Sequence, residues 1–144
     1  MSVKSIKRVL RDKIAADMQT QMSTELSGVQ VVAAMGGDEL EALHIRVVSP
    51  SAVPQIAGRR NLGRWDITIG IDVVSQIDDT TEDQHDNLVG LVEAYILQGN
   101  ETLAARLTDS VIAVNNVFPA VSTDMAVEGL RFSHAEIQCE CYLI

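Results

Sequence analysis

Residues 65–74 read WDITIGIDVV, and the fold is decided there. Trp65, Ile67, Ile69, Ile71 and Val73 take one set of alternating positions, and Asp66, Thr68, Gly70 and Asp72 take the other. Successive side chains of an extended backbone point to opposite faces, so the stretch predicts a strand with an apolar face on a core and a polar face turned away. Its β-branched content suits a half-buried pleated surface.

Upstream, Ala42–Val48 predicts a partner strand, ended by Ser49-Pro50. From Ser49 to Arg64 the chain holds two prolines, two glycines and three arginines, with no helical or alternating period. It reads as a long loop, and residues 42–74 as a hairpin with a long arm between its strands. Gln30–Met35 is a short apolar run, a strand or a connector, followed by the turn signal Gly36-Gly37-Asp38. Earlier still, Val3, Ile6, Leu10, Ile14, Met18 and Met22 recur every three or four residues. They predict a helix over 3–22, with Ser2 as its cap.

Downstream, Thr80 or Thr81 caps a helix over 82–98 whose apolar face holds Leu88, Leu91, Val92, Tyr95 and Ile96. Gly99 is placed to terminate it. Glu101–Leu107 predicts a short helix. Strands follow at Val111–Phe118, stopped by Pro119, at Val127–Phe132, and at Ala135–Leu143. The order of elements predicts one α+β domain over 1–144: an antiparallel or mixed β-sheet with helices packed on one face and a long-armed β-hairpin.

Hydrophobic residues make up 47% of the 144 and aromatics only 3%, so the core is aliphatic and a base-stacking surface for single strands is disfavoured. The longest uncharged run, Ser110–Thr123, is short of the roughly 20 apolar residues of a membrane span. No apolar run follows the first lysines, so no secretory signal is expected. The net charge of −9 is uneven. Residues 1–13 carry five basic groups against Asp12, leaving six basic and nineteen acidic groups in the rest. A body so acidic repels phosphate, which disfavours specific nucleic-acid binding.

The chemistry-bearing residues are sparse. Neither G-x-G-x-x-G nor G-x-S-x-G occurs, and Ser133-His134 would point to opposite faces of a strand. Asp78, Asp79, Glu82, Asp83 and Asp86 lack the glycine turn and spacing of a calcium loop; capping and solvation account for them. Cys139 and Cys141 are one residue apart, too close for an unstrained disulfide, and read as reduced core thiols in a cytoplasmic setting. His44, His85 and His134 are scattered and read as surface or satisfied histidines. No enzyme, no cofactor and no metal is expected. What remains is the arm with Arg59, Arg60 and Arg64 against the acidic residues Asp78, Asp79, Glu82 and Asp83. Two complementary, non-identical surfaces on one molecule generate head-to-tail contacts, which close into rings when the rotation allows.

The stretches SIKRVLRDKIAADMQ, PSAVPQIAGRRNLGRWDITIGIDV, DDTTEDQHDNLVGLVEAYIL and RFSHAEIQCECYLI together resemble the tail-terminator and neck (head–tail joining) proteins of long-tailed bacteriophages. The resemblance implies a homo-oligomeric ring, typically a hexamer, that terminates the tail tube and joins tail to head alongside other tail and neck proteins. It implies a place in the virion after assembly in the host cytoplasm, with DNA passing through the ring and no membrane or cofactor. Other readings are a different neck component such as a head-closure protein, a small cytoplasmic binding or regulatory domain, and an enzyme whose site forms only between subunits.

Overall fold

The computed structural model describes residues 4–33, 42–57 and 60–144. Helix α1 (Ile6–Gln21) buries Ile6, Leu10, Ile14 and Met18, four residues apart, as the spacing requires. Its cap is Ser5, not Ser2: the Ser5 backbone is extended and its hydroxyl accepts from the Arg8 amide at 3.3 Å. The helix therefore starts at Ile6, later than the apolar stripe suggests. Met22 and Leu26 carry the buried seam on through the following turn.

The five-stranded sheet has the order β1-β2-β3-β5-β4, with β1 (Gln30–Ala33) parallel to β2 (Leu43–Ala57). Strands β3 (Arg60–Gln76), β4 (Ile112–Val127) and β5 (Leu130–Leu143) complete it through antiparallel pairings. The sheet is thus mixed and the fold α+β. Trp65–Val74 falls inside β3 in the expected phase: Ile67, Ile69, Ile71 and Val73 are each at most 1% exposed. They share one core with Ile14, Leu88, Leu103 and Ile137, so α1, α2 (Glu82–Ile96) and α3 (Gly99–Leu107) pack on that face. The other face carries Arg46, Asp66, Asp72, His134, Glu136 and Glu140.

Three expectations are corrected. Ser49–Arg64 is not a long loop, because β2 and β3 extend through it as one ribbon, with described pairing out to Ala57 and Arg60. Pro50 does not end β2, and Pro119 does not stop β4. Nor is Val127–Phe132 a separate strand; it contains the tight β4–β5 turn, where Gly129 adopts φ +76. The prolines are tolerated because each adjoins a register shift: Pro50 between Val48 and Ser51, Pro54 before Ile56, Pro119 before Val121. A strand can spare a ladder hydrogen bond at a bulge. Gly36-Gly37-Asp38 lies outside the described residues.

Thr81 caps α2 in a reciprocal box. Its hydroxyl accepts from the Gln84 amide, and the Gln84 side chain accepts from the Thr81 amide. The C-cap of α2 is Leu97, so Gly99 (φ +50) sits two residues further on and turns the chain into α3. Asp17 of α1 accepts from the Tyr95 hydroxyl at 2.7 Å and from the Arg106 guanidinium at 3.1 Å, tying the three helices together.

Candidate interaction surfaces

The basic arm is built by β3 outrunning its neighbour. β3 pairs with β5 from Trp65 onward, whereas Arg60 and Asn61 pair only with β2. Arg60 and Arg64 therefore lie on a two-stranded ribbon leaving the sheet; Arg59 lies outside the described residues. Arg64 Nη1 is 3.6 Å from Glu140 Oε1, and its guanidinium carbon sits 6.0 Å from the Tyr142 ring centroid. The Arg64 side chain is 47% exposed. An exposed pair at that distance is a weak tether.

The acidic group is at the other end of the same strand. Asp78 and Asp79 occupy the turn after β3, and Glu82 and Asp83 open the first turn of α2. All four are exposed. Carboxylates are favoured there by the positive end of the helix. Thirteen residues, most of them in β3, lie between Arg64 and Asp78, a distance on the order of 45 Å at the usual strand rise. The fold does not bring arm and patch together within one chain; it holds them at opposite ends.

Sequence reasoning missed the polar architecture between those ends. His85 is not a surface histidine but is 7% exposed, with Nδ1 2.8 Å from Ser75 Oγ and Nε2 2.8 Å from Ser133 Oγ. Ser133 donates its hydroxyl proton to Asp124 Oδ1 at 2.7 Å. Its oxygen must then accept from His85 Nε2–H, which leaves Nδ1 to accept from Ser75. Burial, and after it the Arg131 charge, lowers the His85 pKa, so the ring is neutral near pH 7. The relay superficially resembles an activated serine, but Ser75 is 0% exposed, and Ser133 gives its proton to Asp124 rather than to His85. Its effect is to fasten α2 to β3 and β5. Beside it lies a groove of about 290 Å³, bounded by His85 and Val89 on α2 and by Met125, Leu130 and Phe132 of the β4–β5 hairpin.

His134 turns to the opposite face, as its adjacency to Ser133 requires. Its Nδ1 meets the cross-strand Asp72 Oδ1, and its Nε2 meets Glu136 Oε1 at 2.9 Å. Partial burial works to lower its pKa, but the bonds to Glu136 and Asp72 outweigh it and the net shift is upward. Gly70 makes room for the ring: a Cβ there would lie 2.6 Å from His134 Cε1. Strand adjacency was the one available signal, since Asp72 and His134 are directly opposed in register.

Cys139 and Cys141 point into the core, unbridged. Burial pushes both thiols up to about 12, so they are unreactive. Among the described residues, no three His, Cys, Asp or Glu side chains converge as a metal site requires.

No protein-family model and no curated protein matches the chain. Among solved structures it overlaps one chain of "Virion of native gene transfer agent (GTA) particle" at a TM-score of 0.61 and 10% identity. The overlap covers 95% of this chain and 94% of that one. A second solved chain overlaps more loosely, at a TM-score of 0.45 and 11% identity over 92% of this chain and 94% of that one. At such identities the likeness concerns the fold, with no correspondence of individual residues.

Proposed function

We propose that this chain is a structural protein of a phage-type virion, forming a ring at the neck or tail end that terminates the tail tube and joins tail to head. The observation that carries the reading is the end-to-end overlap of its fold with a chain of a gene transfer agent virion. The placement of arm and patch supports the ring. Opposite ends of one rigid strand are where a head-to-tail contact needs its two halves, and such contacts close into rings. In this reading Arg59, Arg60 and Arg64 meet Asp78, Asp79, Glu82 and Asp83 of the adjoining subunit, and six subunits complete the ring. The ring contacts other tail and neck proteins, and its acidic body lets DNA pass without holding it. The virion is its place of action.

The role is non-catalytic. Among the described residues, the serine–histidine relay has Ser75 fully buried and Ser133 committed as a donor to Asp124, and the thiols are buried and protonated. Light scattering and negative-stain imaging of the purified protein, alone and with tail-tube protein, test the reading. Rings that cap tube ends are expected. A strict monomer at high concentration, with no rings on adding tube protein, overturns it.

A further inference from the structure

A cleft of about 390 Å³ lies between the first turns of α1 and the bulge in β2, lined by Ser5, Lys7, Arg8, Arg11, Val48, Ser49 and Pro50. Its charged lining is entirely cationic. Lys7 makes no ion pair among the described residues, and Arg8 reaches only Asp12, at 3.7 Å. Arg11 is the unusual member, because it is 9% exposed and yet incompletely satisfied. Its Nε and Nη2 both donate to the same atom, Asp12 Oδ1, at 3.1 and 3.0 Å. The Nη1 donors are left without an acceptor among the described residues. A guanidinium has five donors, so Arg11 keeps donors beyond those given to Asp12 for a group that enters the cleft.

Two further features converge on the cleft. The Ser49 hydroxyl, placed there by the bulge between Val48 and Ser51, is buried without a partner. The positive end of α1 opens here too, and no acidic residue lies in its first turn. Helices usually offset that end with an Asp or Glu, as α2 does with Glu82 and Asp83. An arginine with donors to spare, a hydroxyl and a lysine without partners among the described residues, and a helix start with no acid in its first turn all suit the same thing, an acceptor with negative charge.

We propose that this cleft is an oxyanion-binding site, taking a single phosphate or carboxylate group between Arg11, Ser49 and the start of α1, with Lys7 and Arg8 closing its rim. The site stands apart from the arm and the acidic patch, so it does not depend on the ring. Both ligand groups present acceptor oxygens to the same donors, and the experiment separates them. Inorganic phosphate and acetate are titrated separately into the ¹⁵N-labelled protein at constant ionic strength, following amide shifts.

Saturable shifts confined to the amides of residues 5–11, 48 and 49 are expected with at least one of the two. Saturation by phosphate alone assigns a phosphate group, and saturation by acetate as well assigns carboxylates too. Lys7→Gln with Arg8→Gln, both at the rim and outside the core, should weaken binding about tenfold or more, in line with losing charge-assisted bonds. Ser49→Ala should weaken it less and leave the fold intact. Shifts absent with both anions, shifts spread over the surface, or equal affinity in the rim variant overturn the proposal.

Discussion

Two histidines of opposite character, His85 neutral in the helix-side core and His134 held between carboxylates on the open face, make opposite demands on pH. The folded chain resists protonating His85, so below its ordinary value of 6.5 the unfolded chain binds the extra proton and stability falls with pH. His134 is raised: its contribution is fully present below 6.5 and is lost as pH rises through the higher folded value. Replacing His85 by Leu orphans the buried Ser75 hydroxyl and costs roughly 1–3 kcal/mol at neutral pH. The difference from the parent should narrow towards about pH 5, where the parent also loses His85 stability. Urea midpoints at the two pH values check it, and a difference that widens would refute the buried neutral ring. Gly70→Ala tests the other histidine. The new Cβ displaces the ring from Asp72 and Glu136, so the His134 titration followed by NMR should move down towards 6.5. An unmoved titration would mean that Gly70 is not what seats the ring.

At the scale of elements, local chemistry was legible wherever one residue set the outcome. The alternation in 65–74 and a threonine cap at Thr80 or Thr81 are read from side chains alone; the alternation stands in the structure, and the cap is Thr81. Thr81→Ala should cost about 1 kcal/mol, read as a lowered thermal or urea midpoint, since it removes one half of the box and frees the other. The failures lie where tertiary pairing overrides a breaker. Pro50 and Pro119 read as strand ends and Pro54 as part of a loop because a ladder lacks a donor at each, but each adjoins a register shift. Among the described residues β1 pairs with β2 only as far as Val47, so Pro50 and Pro54 lie where β2 has no described neighbour on that side, and Pro119 lies on the outer strand β4. The polar pairings were hidden for a related reason. Ser75, His85, Ser133 and Asp124 come from four separate elements, and no spacing in the chain announces their meeting. The arm and the acidic patch were visible as composition, but their placement at opposite ends of β3 needed the ribbon.

For the whole molecule, the question is whether charge at those two ends drives assembly. Exposed charges are screened over about 10 Å at 0.1 M salt, so an assembly held this way should loosen as salt rises. Changing Arg59, Arg60 and Arg64 to Glu gives an arm that repels a neighbour's patch. Changing Asp78, Asp79, Glu82 and Asp83 to Lys gives a patch that repels a neighbour's arm. Arg64 and the four acidic residues are exposed, and each variant should remain a folded monomer by circular dichroism and sizing. Mixed in equal amounts, the two variants offer each other complementary ends at every contact: the acidic arm meets the basic patch, and the basic arm meets the acidic patch. Assembly should return only in the mixture, with the two chains alternating. Strict alternation closes a ring only when the number of subunits is even, so a recovered ring of the parent's mass also bears on the sixfold proposal. Assembly by either variant alone, at low and high salt alike, would remove charge from the interface and leave the ring to some other surface, such as the exposed β4 side chains Phe118 and Met125.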